Sequence, residues 1–123
     1  MDKIWGIRDK VYDLLVSKGY PILEDPEVPI KSFPELVVYL VKNKIPVFGS
    51  PLLGIVHPCF RKKQEWLVSQ MYTHVKSFGG KVNGAFGIGL AKKELVEAKD
   101  LDRIKSLKKI YDTDNVMNKG KLE

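Results

Sequence analysis

The sequence predicts a single α+β domain, and three observations support this prediction. The chain has 123 residues, of which 44% are hydrophobic and 29% are charged, and this is the size and composition of one globular domain with a core. Segments with the apolar periodicity of helices alternate with short apolar runs bounded by proline and glycine. No repeat or low-complexity linker divides residues 1–123. We therefore expect one domain in which helices pack against a sheet of short strands.

Two helices are predicted in the first third of the chain. Residues 3–18 carry apolar side chains at spacings of three and four, with Asp2 as the N-cap and Gly19 as the stop. A second helix follows Ser32 and Glu35, which have the spacing of a capping box, and it ends at Asn43. Between these helices, residues 20–28 contain two prolines, which exclude a helix and suit an edge strand.

The rest of the chain continues this alternation. Residues 45–48 and 52–60 are apolar runs separated by glycine, serine and proline, and they predict two strands. Residues 62–78 are the strongest helix, which two glycines end. A glycine-rich segment follows, and residues 90–111 then predict a helix broken near Asp100. That helix is expected to bury an apolar stripe formed by Leu101, Ile104, Leu107 and Ile110.

Basic residues are concentrated in the middle of the chain. The net charge is +6, and residues 31–81 hold 8 Lys and Arg against 2 acidic residues. Such a region attracts nucleic acid or a small anion, or it is simply a solvated face. Because aromatic residues are not interleaved with the basic ones in an RNA-binding pattern, charge alone does not favour nucleic acid as a partner.

Three features favour a cytoplasmic location without membrane association. No apolar run approaches the ~20 residues of a membrane-spanning helix. The N-terminus carries Asp2 and Lys3 where a signal peptide needs an apolar stretch. Cys59 is the only cysteine, which excludes an internal disulfide and fits a reducing compartment.

Few residues are candidates for chemistry on spacing alone, and no catalytic residue is assigned. His57 precedes Pro58 at the predicted end of a strand, where functional side chains often lie, although a packed histidine gives the same pattern. Gly84, Gly87 and Gly89 precede a predicted helix, and they either bring backbone N–H groups to an anion or form a tight turn without a ligand. The sequence contains no catalytic triad and no phosphate-binding loop.

Four separated motifs of the chain follow one another in the order of a known family. Residues 5–8 (WGIR) resemble a Trp-x-x-Arg helix, and residues 24–36 contain EDPEVP and FPEL, which resemble an ED-x-x-VP…LPEL stretch. Residues 84–92 (GAFGIGLAK) resemble a GEHGIGLAK loop, and residues 107–121 (LKKIYDTDNVMNKGK) an LKKxxDPxxIxNPGK ending. Together they resemble the C-terminal half of the FAD-linked oxidases, the family of glycolate oxidase, D-lactate dehydrogenase and D-2-hydroxyglutarate dehydrogenase. The resemblance implies a ferredoxin-like antiparallel sheet packed with helices.

The resemblance also implies which residues bind ligands. Arg8 matches the arginine that holds the substrate carboxylate in characterised relatives, by a bidentate, charge-assisted pair. His57 matches one of two histidines that bind a divalent metal in metal-using relatives, and the resemblance implies that it lies in the substrate pocket. Asn118 and Gly120 match the terminal segment that runs close to the flavin, and they are the implied cofactor-binding residues.

The chain departs from the family pattern at polar positions. Ser50 and Ala85 replace a histidine and a glutamate that bind a divalent metal in some relatives, and Phe86 replaces the loop histidine near the substrate. Leu53 and Ile55 replace an aspartate and an asparagine. Because catalytic metal sites need about three protein ligands and only one of the family's metal-binding histidines remains, we expect no metal.

Three functions remain open at this point. The first is the cap, or substrate-domain, subunit of an FAD-dependent 2-hydroxyacid oxidoreductase of the glycolate or D-lactate type. The family's FAD-binding domain is not in these residues, so FAD would come from a separate chain and this chain alone would oxidise nothing. The second is a non-catalytic, self-associating binding module, which the loss of polar residues favours. The third, on charge alone, is a nucleic-acid-binding domain.

Overall fold

Five short strands form an antiparallel sheet in the computed structural model, which describes residues 2–84, 87–90 and 92–121, with side chains from residue 5 onward. The strands are β1 (Ile22–Leu23), β2 (Pro26–Glu27), β3 (Val47–Ser50), β4 (Ile55–Phe60) and β5 (Lys81–Val82). The central strand is β4, which pairs with β3 on one edge and with both β1 and β2 on the other. The sheet continues from β2 to β5.

The strands β1 and β2 are two parts of one strand position beside β4. Both keep the same register against β4. Between them the N–H of Glu24 donates to the carbonyl of Pro58 over 3.1 Å. Because Pro58 and Pro26 have no N–H to donate, the hydrogen-bond ladder is interrupted here. This interruption, called the strand break below, places Glu24 and Asp25 in the middle of the sheet and outside regular strand pairing.

Within the described ranges five α-helices accompany the sheet, α1 (Asp2–Asp9), α2 (Val11–Ser17), α3 (Phe33–Lys42), α4 (Glu65–Ser77) and α5 (Ala98–Tyr111). With β1 and β2 counted as one strand, the chain from β1 to β5 has the order β-α-β-β-α-β of the ferredoxin-like arrangement. The expected α+β fold with an antiparallel sheet is therefore confirmed. Among the helices in the described residues, none combines the length and apolar character that crossing a bilayer requires.

The hydrophobic core joins one face of the sheet to α3 and α4. Its members are buried apolar side chains from both helices and from β4: Leu36, Leu40, Val56, Phe60, Leu67, Met71, Tyr72 and Val75, together with Val28 and Ile45. Side chains alternate between the two faces of a strand. Since Val56 faces this core, the next residue, His57, points to the opposite face.

Two expectations about the first half of the chain are wrong. The helix expected over residues 3–18 is broken at Lys10, whose N–H bonds to the carbonyl of Ile7, three residues back, over 3.2 Å. No side chain of α2 is buried, so packing does not hold the two segments in line. Ser32 makes no side-chain cap bond, because it already has a helical conformation in a 3-10 turn, Ile30–Ser32, that leads into α3.

The expected edge position of the proline-containing strand is also wrong for β2. This strand lies between β4 and β5. The pairing with β5 survives the missing N–H of Pro26, because Glu27 still pairs with Lys81. The N–H of Asn83 also donates to the carbonyl of Asp25 over 3.1 Å.

The largest difference concerns α5. The break before it lies at Glu97, which is extended, and not near Asp100. None of its side chains is buried, and Leu107 and Ile110 are 46% and 66% exposed. Its apolar stripe therefore has the predicted periodicity but not the predicted burial, since Leu101 and Ile104 are only half-buried against the described residues.

Candidate functional site

An open groove of ≈ 990 Å³ is the candidate site on the described surface. Arg8 and Tyr12 line it from α1 and α2, and Glu24 lines it from the strand break. Residues 87–90, called the glycine segment, form another wall, and Asn118 and Lys121 line it near the C-terminus. Folding therefore brings together residues from all four motifs that are far apart in the sequence.

Arg8 stands on the rim of this groove, in the last turn of α1. Its side chain is exposed, and its guanidinium carbon lies 5.1 Å from the centre of the Trp5 ring. Such a cation–π contact orients the guanidinium without neutralising its charge. An oriented and exposed guanidinium can take a carboxylate with two parallel hydrogen bonds.

His57 lies in the middle of β4, and the sequence-based position at a strand end is therefore wrong. It adjoins the groove through Phe48, a lining residue whose ring centre lies 5.0 Å from the imidazole centre. Burial is the main reason that the pKa of His57 is lowered from 6.5, while the backbone of Glu24 and the carboxylate of Asp25 oppose this shift. The neutral imidazole is therefore the favoured form at neutral pH.

A buried carboxylate organises the C-terminal turn. Asp112 accepts hydrogen bonds from the Lys108 ammonium at 2.5 Å and from the N–H groups of Val116 at 2.8 Å and Met117 at 3.1 Å. These contacts, with Lys108 first, lower the pKa of Asp112 below 3.8. Lys108 also donates to the carbonyl of Met117 over 2.6 Å. The hydrogen bonds of Asp112 and Lys108 therefore hold the turn that leads to Asn118 in place.

The implied cofactor-binding residues follow this turn. Asn118 lines the groove and has a positive φ of 50°. Its carbonyl accepts the N–H of Lys121 over 3.0 Å. Gly120 lies inside the same turn with a φ of 79° and is exposed. Asn118 is therefore a lining residue of the groove, whereas Gly120 shapes the backbone beside it.

Three charged side chains and a tyrosine form a buried group at the groove, and we call Glu24, Asp25, Lys92 and Tyr72 the ionic cluster. The Lys92 ammonium lies 2.5 Å from the Asp25 carboxylate and 3.2 Å from that of Glu24. The Tyr72 hydroxyl donates to Glu24 over 2.9 Å. Burial and the charge of Glu24 raise the pKa of Tyr72, so its hydroxyl stays protonated and serves as a donor.

Sequence reasoning missed the ionic cluster as a unit. Glu24, Asp25 and Lys92 lie in the quoted motifs, but Lys92 is 67 or more positions from the two acidic residues and nothing in the spacing pairs them. One signal was available in the sequence. Glu24 and Asp25 lie between an apolar run and a proline, and Lys92 follows a glycine-rich run. A charge that is buried at such a position needs a partner of opposite charge. Tyr72 carried no signal, because an aromatic residue on the inner face of a helix normally belongs to the core.

The positions that depart from the family pattern do not form a polar site. Ser50 ends β3, Ile55 is half-buried at the start of β4, and Leu53 is 64% exposed in the turn between these strands. The two substitutions at residues 85 and 86 lie outside the described residues. In the described part of the chain, no three His, Cys, Asp or Glu side chains group as metal ligands would.

Comparison with known proteins identifies the family. The model of the FAD linked oxidases, C-terminal domain, matches residues 51–122, which is more than half of the chain. The chain belongs to this family of FAD-linked oxidase domains. No curated protein matches it. The matched region contains β4, the glycine segment and the C-terminal turn, whereas Arg8 and the strand break precede it.

Two described residues of the groove suit a flavin-linked family. The amide of Asn118 and the ammonium of Lys121 can donate hydrogen bonds to the carbonyl groups of a flavin ring. The groove is open, and its described walls do not enclose a dinucleotide. FAD is the cofactor class that the family match indicates.

Proposed function

We propose that this domain is the substrate-binding part of an FAD-dependent 2-hydroxyacid oxidoreductase of the glycolate or D-lactate type, and that a separate polypeptide holds the flavin. The observation that carries the proposal is the placement of Arg8, the glycine segment and Asn118 on one open groove. Family membership supports the flavin-linked class. The substrate class rests on the exposed guanidinium beside that groove.

The groove is lined by the positive residues Arg8, Lys92 and Lys121 and by the acidic residues Asp9 and Glu24, and this excess of positive charge favours an anionic substrate. Arg8 and Lys121 are exposed, so each can attract a carboxylate. Lys92 also lines the groove, but its charge is already paired with two buried carboxylates. Arg8 is therefore the residue that we assign to the substrate carboxylate, and Lys121 adds positive potential to the same groove.

The residues of this chain would bind and orient the substrate. Arg8 fixes the carboxylate end, and the glycine segment lets the backbone approach the ligand closely. His57 packs against the Phe48 ring and would support this wall of the groove from behind. The flavin, when bound, supplies the hydride acceptor for a 2-hydroxy acid.

The first test uses the tagged chain as bait in an extract of its own source. A retained complex with flavin absorbance that lactate or glycolate bleaches would support the proposal. A colourless protein, alone or paired with itself, would contradict the catalytic part. Bleaching also separates a true flavoprotein partner from proteins that adhere to a basic surface.

The second test measures substrate binding on the chain itself. D-lactate is titrated into 15N-labelled protein, and the chemical shifts of Arg8 and of the glycine segment are followed. Arg8→Ala should weaken binding by about 10-fold or more, which corresponds to the loss of a charge-assisted pair. Arg103→Ala, which removes an exposed arginine from α5, is the matched control and should leave binding unchanged.

A second candidate function is a non-catalytic module that self-associates. It is favoured by the turn between β3 and β4, where Leu52 and Leu53 are 85% and 64% exposed and where Leu53 stands for a polar family residue. These two neighbouring exposed leucines offer an apolar surface that a second copy of the chain can contact. Light scattering over a dilution series tests this, because a monomer at every concentration would contradict it.

A further inference from the structure

The glycine segment is shaped by local bonds, and these bonds do not fix its position on the sheet. The N–H of Gly87 donates to the carbonyl of Gly84 over 2.9 Å, and that of Lys92 donates to Ile88 over 3.1 Å. Gly87 and Gly89 have positive φ values of 83° and 55°, with open space around both. A loop of this kind needs a further contact to stay in one place as the wall of a groove.

We propose that Lys92 is a positioning residue that holds the glycine segment as a wall of the groove through its buried ion pairs with Glu24 and Asp25. The inference rests on the proposed function only in treating the groove as the ligand site. These two ion pairs, called the tether below, join two separated parts of the chain, the strand break and the glycine segment. The tether is not part of the carboxylate-binding role assigned to Arg8.

Burial gives this tether its strength. The side chains of Lys92, Glu24 and Asp25 are 10%, 11% and 0% exposed. A buried ammonium is costly unless it is paired, and two adjacent carboxylates repel each other unless a cation lies between them. The ammonium therefore has one favourable location, beside the strand break. Moving the glycine segment away would withdraw it from both carboxylates.

The anchor for this tether is itself fixed. Tyr72, which belongs to the core face of α4, donates its hydroxyl to Glu24. The backbone N–H of Glu24 is bonded to β4 through Pro58. The sheet and α4 therefore hold the strand break in place. Because Lys92 is ion-paired with the strand break, the groove wall that precedes Lys92 is held at a fixed position relative to the core.

The test measures amide hydrogen exchange in the full chain. Gly87 and Lys93 report on the glycine segment, because both N–H groups are bonded within it or next to it. Ile45 and Cys59, whose N–H groups bond to Leu40 and Pro46, report on the core. In Lys92→Met, exchange at the first pair should rise about 10-fold more than at the second. Lys92→Arg should restore most of the protection.

The controls separate positioning from a general loss of stability. Lys99→Met breaks an exposed ion pair with Glu97 and should change neither pair of amides. An equal rise at all four amides in Lys92→Met, or no rise at Gly87 and Lys93, would overturn the proposal. If Lys92→Met does not fold, the neutral combination with Glu24→Gln and Asp25→Asn removes the tether without leaving buried charges.

Ligand binding gives a second readout. D-lactate binding, measured at the shift of Arg8, should weaken about 10-fold in Lys92→Met and recover in Lys92→Arg. Unchanged binding in Lys92→Met would overturn the link between the tether and the groove. If the wild-type chain does not bind lactate, the proposed function fails, whereas the exchange measurement still decides the role of Lys92.

Discussion

Helices α3 and α5 carry the same kind of apolar stripe in different surroundings. In α3, Leu36 and Leu40 are completely buried against the sheet. In α5 no side chain is buried, and Leu107 is 46% exposed. The stripe of α3 contributes to the core, whereas α5 depends on local features such as the Lys108–Asp112 ion pair at its end. Periodicity therefore indicates an amphipathic helix, but it does not indicate whether the rest of the fold covers its apolar side.

The largest expected effect compares one leucine from each helix. Leu40→Ala should lower the free energy of unfolding by about 2–5 kcal/mol, because it leaves a cavity in the core. Leu107→Ala removes the same atoms from a half-exposed position and should cost about 0.5 kcal/mol. Urea unfolding of the two variants measures the difference. Equal losses would show that α5 is covered in solution, by this chain or by a second copy.

The second comparison concerns two glycines with positive φ. Gly54 has a φ of 67°, and a Cβ there would lie 2.0 Å from the carbonyl oxygen of Val28. Gly87 has a φ of 83° and open space around it. Gly54→Ala should therefore cost at least about 2 kcal/mol, whereas Gly87→Ala should cost about 1 kcal/mol from backbone conformation alone. Similar thermal midpoints for the two variants would contradict this difference.

The fold was largely accessible from the sequence because its elements have local signals. The prolines and glycines around β3 and β4, and the apolar spacing of α3 and α4, predicted those elements at nearly the observed bounds. The broken N-terminal helix was not predictable in this way. Its apolar residues keep a helical spacing through Lys10, and only the lack of packing against the core allows the break.

The site was predictable in part. The family motifs indicated Arg8 and Asn118, which do line one groove, and placed the glycine segment beside them. The ionic cluster was not predicted, since its pairing depends on a strand break caused by Pro26 and Pro58. An interruption of that kind is a consequence of how strands pair, and it leaves no periodic pattern in the sequence.

The third comparison tests the hydroxyl groups of two tyrosines. Tyr72→Phe removes the 2.9 Å hydrogen bond to Glu24 inside the ionic cluster. Losing a bond to a buried carboxylate should cost about 1–2 kcal/mol. Tyr111→Phe alters a 77% exposed side chain at the end of α5, and the change should stay within about 0.5 kcal/mol. Urea unfolding measures both, and a neutral Tyr72→Phe would show that the hydroxyl does not support the cluster.

The smallest expected effect is a difference in how pH changes the stability contributed by His57 in β4 and by Asp112 at the end of α5. Burial lowers the pKa of His57 below 6.5, so the unfolded chain takes up a proton before the folded one does. Its contribution to stability is therefore complete above pH 6.5 and is lost as the pH falls from there through the lower folded value.

Asp112, at the end of α5, also has a lowered pKa, and its contribution is present above 3.8 and lost below that value. Urea midpoints measured from above pH 6.5 down to about 5 should decline in the wild type and decline less in His57→Gln, while Asp112→Asn should keep the wild-type slope. If His57→Gln keeps the full slope, another group must lose stability over this range, and the neutral imidazole behind Phe48 is not what links the groove region to pH.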